Sequence, residues 1–130
     1  MSQENLERTR AGWEFVNRTG EIDPEFLHPD IVRHTRADLP DTRTYRGPDG
    51  VAELRDEWAG TFEEFTVDIE ELIDAGEYVV AVLRIHGRIS GSSQQLEMAE
   101  THVGRWTGGK LVEVREYATK GEALMALGPG

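Results

Sequence analysis

A chain of 130 residues with a formal charge of −11, 38% apolar and 30% charged, is long enough to bury one core and reads as one domain over residues 1–130. Its acidity argues against a phosphate-binding surface, which needs clustered Lys and Arg, and the absence of cysteine excludes disulfides, thiolate chemistry and Cys-based zinc sites. No stretch is apolar enough to span a bilayer and the N-terminus lacks an apolar leader core, so the expectation is a cytoplasmic protein with neither nucleic acid nor membrane as partner.

Leu6, Thr9, Trp13 and Val16 fall at helical spacing and predict a helix over 4–19, stopped by Gly20. In EIDPEFLHPD, Asp23 suits an N-cap and Pro24 the first position of a short helical turn that Pro29 ends. IVRH is a strand candidate, and the polar loop after it holds a short edge strand around Thr44 to Arg46. A second helix, from Pro48 or Asp49 to about Thr61, carries the stripe Val51, Leu54, Trp58 and Phe62.

From Glu64 the period falls from near four to two, with Phe65, Val67, Ile69, Glu71 and Ile73 alternating with polar residues. The turn AGE leads to a strand from Tyr78 to about Ser90. SGSSQ leads to the strand LEMAETHVGRW, and TGGK to LVEVREYA. KGEALMALG closes the chain as a short helix stopped by Gly128. Helices first, then a meander of four long antiparallel strands and a terminal helix, give an α+β fold with helices laid on one face of a curved sheet.

The strand VVAVLRIHGR starts with both faces apolar, and then one face acquires Arg84, His86 and Arg88. By the same counting, Met98, Glu100, His102 and Gly104 share a face of the next strand, and Val112, Val114 and Glu116 share one of the last. If all these faces line the interior, Arg84, His86, His102 and Glu116 converge at one end of an apolar pocket. Histidine can take a proton from an acidic carbon near neutral pH and return it elsewhere. Arg84 can hold an enolate or carboxylate oxygen or keep Glu116 ionised, and Glu116 can act as base or orient a histidine.

Plainer readings stand beside this one. Arg84 and Glu116 can form a buried structural ion pair without chemistry, and His86 with Arg88 can mark the strand leaving the core for solvent. The acidic run TFEEFTVDIEELID reads as the solvated face of an outer strand. Trp13, Trp58, Phe62 and Met98 are core residues first and line a pocket only if one exists, and Tyr45 projects its hydroxyl inward or packs in its loop. His34, His86, His102 and Glu116 are zinc-ligand types, but no HxH or HExxH spacing is present, so no metal is expected.

Several segments together resemble the NTF2-like superfamily, in particular its SnoaL-like branch: WEFVNRTGEID, LHPDIVRH, YRGPDGVAELRDEW, EELIDAGEYVVAVLRIHGR and WTGGKLVEVREYATKGEAL. The resemblance implies a cone, a strongly curved antiparallel sheet wrapped around the N-terminal helices over a pocket, and a homodimer through the outer sheet face. The superfamily spans polyketide cyclases, ketosteroid isomerases, epoxide hydrolases, dehydratases and binding modules, so fold alone does not give function.

The resemblance sets Arg84 at the Arg of an epoxide hydrolase Arg-x-Asp pair, with His86 replacing the acid, and Glu116 at those enzymes' second Asp. It sets His102 near the oxyanion-binding acid of ketosteroid isomerases, His34 near their general base, and Trp13 at their oxyanion-binding Tyr. With His at three acid positions and no hydroxyl on Trp13, neither constellation is intact, and the SnoaL-like cyclases, with pocket His and Asp, are nearer.

The expectation is thus an enzyme of isomerase, cyclase or hydratase type that needs no cofactor and acts on a small apolar carbonyl compound. His34, Arg84, His86, His102 and Glu116 are the catalytic candidates, and Trp13, Tyr45, Trp58, Phe62 and Met98 the ligand-binding ones. The alternative is a non-catalytic module that binds a small hydrophobic or carboxylate ligand through Arg84. A third reading is an interaction protein whose outer sheet face matters and whose pocket is filled by side chains.

Overall fold

The computed structural model describes residues 2–128. Helix α1 (Ser2–Thr19) and a 3-10 turn (Pro24–Phe26) precede β1 (Leu27–His34) and β2 (Thr44–Arg46); α2 (Gly47–Thr61), β3 (Phe62–Ala75), β4 (Tyr78–Ile89), β5 (Gln95–Thr107), β6 (Lys110–Tyr117) and α3 (Lys120–Leu127) follow. The strands form one open mixed sheet in the order β2-β1-β6-β5-β4-β3. The expected α+β architecture is present, and the meander β3 to β6 is antiparallel throughout. β1 joins the sheet by pairing parallel to β6. Among the described residues no helix is long and apolar enough to cross a membrane.

The local signals act much as the sequence suggests. Asp23 caps the 3-10 turn by accepting from the Glu25 amide at 3.0 Å, and Thr119 caps α3 by accepting from Glu122 at 3.1 Å. Gly128 ends α3 at φ +83°. Pro29, expected to end the turn, instead lies in β1, which begins four residues earlier than IVRH. The β1–β6 register shifts between Leu27 and Val32, and such an irregularity tolerates a residue with no N–H to donate.

Two bulges set which side chains of β3 face inward. The register with β4 shifts between Glu63 and Thr66, where Glu64 has φ +55°. Phe62 and Phe65, three residues apart and so on opposite faces of a regular strand, thereby both turn to the interior beside Trp58. The second shift, between Ile69 and Glu71, brings Leu72 rather than Glu71 onto the inner face opposite Ala81 and sends Ile73 outward opposite Val80. The alternation expected from Phe65 to Ile73 holds only as far as Ile69.

The main core lies between the inner sheet face and the helices. Val67, Ala81, Leu83 and Ile85 form one cluster, with Trp13, Trp58, Phe65 and Leu72 against it. Ile31, Val51 and Val114 form a second under α2. Each fully buried Val, Leu or Ile contributes about 1.5–3 kcal/mol. Asn17 ties α1 to the edge strand β3: its side-chain amide donates to the Val67 carbonyl at 2.7 Å and accepts from the Val67 amide at 2.8 Å. α3 covers the outer face at Val80 and Val103 through Ala123. This is why β4 starts apolar on both sides.

Candidate active site

Beyond the reach of α3, the outer face of β4 meets water. There Arg84 donates to Glu97 at 2.9 Å and to Glu70 at 3.3 Å. His86 Nε2 lies 2.9 Å from Asp68, and Arg88 pairs with Glu63 at 2.6 Å and with Glu64. The face turns cationic because its neighbours β3 and β5 are acidic there. The expected convergence of Arg84 and His86 with His102 and Glu116 does not form: Leu83 and Ile85, not Arg84 and His86, share the inner face with Glu100 and Met98. The plainer reading of His86 and Arg88, a strand face leaving the core for solvent, matches the placement.

His34 also points outward, half-buried between Thr44 at 3.2 Å and Glu113 at 3.7 Å. Burial, then the Arg115 charge, lowers its pKa below the ordinary 6.5. Tyr45 is buried, but against α2 rather than in a cavity wall. Its hydroxyl donates to Glu57 at 2.6 Å, and burial together with that bond pushes the phenol up to about 12. Met98 packs on the core cluster, outside the cavity wall.

The inner face carries a different polar group. Its cavity of about 460 Å³ is walled mostly by apolar side chains of α1, α2 and the sheet. Trp13, Trp58 and Phe62 are among them, with Phe26, Phe65 and Trp106. Into this wall β5 projects Glu100 and His102, and β1 projects Arg33. His102 Nε2 lies 3.0 Å from Glu100 Oε1, both side chains buried, and its ring centre is 5.7 Å from that of Trp13.

Glu116, opposite His102 on β6, is buried behind the wall. Arg33 donates to it through Nε at 2.9 Å and Nη2 at 2.8 Å, both to the same oxygen. Arg36, in the loop after β1, comes within 3.8 Å of the other Glu100 oxygen and is held by Asp38 at 2.7 Å. His102 and Glu116 thus do come together, with Arg33 and Glu100 as partners in place of Arg84 and His86.

The electrostatics of the group follow from these contacts. Burial pushes the Glu116 carboxyl up, but the charges of Arg33 and His102, the Arg33 hydrogen bonds and the charge of Arg36 outweigh it and hold it below the ordinary 4.5. When the ring is neutral, an ionised Glu100 can only accept, so its bond places the imidazole hydrogen on Nε2 and leaves His102 Nδ1 with a lone pair; the charge that lowers Glu116 belongs to the protonated ring. Donor atoms of Glu100, His102 and Glu116 lie within 4.8 Å of one another, which raises the question of a metal. Arg33 already holds one Glu116 oxygen with two hydrogen bonds and Arg36 stands 3.8 Å from Glu100, so an ion bound there would lie close to both guanidinium charges.

Arg33 and Glu100 are the functional candidates that sequence reasoning missed. Arg33 shares its strand face with Ile31, which is buried, and that spacing was the available signal. Glu100 already lay on the face of His102.

The chain matches the family model of the SnoaL-like polyketide cyclases over residues 7–127. No curated protein matches it in sequence. Among solved structures it is similar to an NTF2-like protein of unknown function from Burkholderia pseudomallei K96243, with TM-score 0.75 and 20% identity over 94% of this chain and 95% of that one. It is also similar to a protein of ketosteroid isomerase-like fold from Catenulispora acidiphila DSM 44928, solved with trimethylamine, with TM-score 0.70 and 15% identity over 85% and 84%. A third is SalBIII, an epoxide hydrolase/cyclase-like enzyme of pyran ring formation in salinomycin, with TM-score 0.74 and 17% identity over 92% and 93%. These likenesses give an NTF2-like fold, and the family match covers nearly the whole chain: it belongs to the SnoaL-like polyketide cyclase family.

Proposed function

We propose that the protein is an acid–base enzyme of isomerase, cyclase or hydratase type, acting without a cofactor on a small, largely apolar carbonyl compound. One observation carries this reading: a buried His102–Glu100 pair stands with Arg33 in the wall of a largely apolar cavity. His102 Nδ1 takes a proton from the carbon next to the carbonyl, and Glu100 steadies the imidazolium that forms. Arg33 faces the oxygen on which charge develops. The proton then returns at another atom. Glu116 acts through Arg33, whose guanidinium it orients. Family membership and the likeness to SalBIII support an enzyme of this general kind.

The test is exchange of the methyl hydrogens of 2-acetylnaphthalene and related aryl ketones in D2O, followed by proton NMR. The protein should accelerate it. His102→Ala should lose about 10²–10⁴-fold of that acceleration, while Arg84→Gln, on the outer face, keeps it. No acceleration with any apolar ketone, or equal rates in His102→Ala, would refute the proposal.

A further inference from the structure

We infer a second polar anchor in the cavity, the indole N–H of Trp106, which binds an acceptor oxygen of the ligand. This rests on the reading of the cavity as a ligand site and adds a requirement on what it takes. Among the described residues, Trp106 Nε1 is the buried side-chain nitrogen or oxygen with no hydrogen-bond partner. The residue is only 6% exposed and belongs to the cavity wall. A buried donor without a partner keeps the full cost of losing water, and native proteins leave few.

The position of the nitrogen says where its partner would come from. It lies 3.7 Å from the point where a Cβ on Gly104 would stand, over the inward face of β5. A Leu111 δ-methyl comes within 2.9 Å of the same point, so an alanine at 104 would crowd this corner. Phe26 closes another side, its ring 6.2 Å from the indole. Gly104, Leu111 and Phe26 all line the cavity. The Glu113 carbonyl oxygen lies 4.0 Å from the same point, yet the indole N–H makes no hydrogen bond to it or to any other group.

Gly104 and His102 point the same way from β5, two residues or about 7 Å apart. The ligand therefore carries a carbonyl, ether or hydroxyl oxygen for Trp106 at about that distance from the group that meets His102. The two anchors fix which end of an apolar molecule faces the acid–base pair, a task the surrounding aromatic walls cannot perform by shape alone.

Two probes of nearly equal shape, each with an acetyl group for the acid–base pair, separate the possibilities: 4-methoxyacetophenone, with an ether oxygen at the far end of its ring, and 4-ethylacetophenone, without one. Proton–nitrogen spectra of the intact protein resolve the indole N–H of Trp106, identified by its loss in Trp106→Phe. Binding of either probe is read from the indole signals of Trp13 and Trp58. The methoxy probe should move the Trp106 proton downfield and bind about fivefold tighter than the ethyl one. In Trp106→Phe that ratio should fall to about one. If both probes bind and the Trp106 proton responds to them alike, the anchor is refuted while the cavity stands. If neither moves any indole signal, the anchor and the ligand-site reading fall together.

Discussion

Arg33 places two N–H donors, at 2.9 and 2.8 Å, on a single oxygen of Glu116 in the interior of the sheet. The side chains are 15% and 5% exposed, so little solvent compensates if one partner is lost. Arg33→Met should destabilise the fold by about 3–5 kcal/mol at neutral pH, because it leaves a buried carboxylate unpaired. Replacing both, as Arg33→Met with Glu116→Leu, should recover most of that stability. Urea denaturation of the two single variants and the pair measures this coupling, and additive losses would contradict it.

Acidification tests the same pair from the other side. The Glu116 carboxyl is held below 4.5 in the folded protein. A depressed pKa contributes stability above the unfolded value and loses it as pH falls through the folded one. The stability difference between the wild type and Glu116→Gln should therefore be constant above about pH 5.5 and shift against the wild type as pH drops below 4.5. Denaturation midpoints across this range give the comparison, and a difference independent of pH would exclude the pairing.

Glu64 should reveal the bulge that turns Phe62 and Phe65 inward. At φ +55° a side chain with a branched β-carbon is disfavoured, while glycine is not. Glu64→Gly should match or exceed the wild type in stability, and Glu64→Val should fall about 1–2 kcal/mol below the glycine variant. Equal effects of Gly and Val on the urea midpoint would show an ordinary strand conformation there.

The fold was legible because its signals are local. Asp23-Pro24, the stripe from Val51 to Trp58 and the switch to period two each specify one element. The site was legible only in part, because a period-two pattern identifies two faces without saying which is inside. On β4 both faces begin apolar, since α3 covers Val80 from outside, and following the charges led to the wrong face for Arg84 and His86. The acids of β3 and β5 that meet them were visible as a solvated run. Their pairing across strands was not, because register depends on bulges that Glu64 and Glu70 do not announce. Arg33 was passed over beside His34, although only Arg33 shares a face with Ile31.

The most direct measurement of the central claim is the tautomer of His102, read from long-range proton–nitrogen couplings in the labelled protein at a pH where the ring is neutral. The hydrogen should sit on Nε2, bonded to Glu100, with Nδ1 bare and available as a base. In Glu100→Gln this preference should weaken, since a neutral amide can also donate. A hydrogen on Nδ1 in the wild type would mean that Glu100 does not orient the ring as the structure indicates, and His102 would lose its place as the base of the cavity.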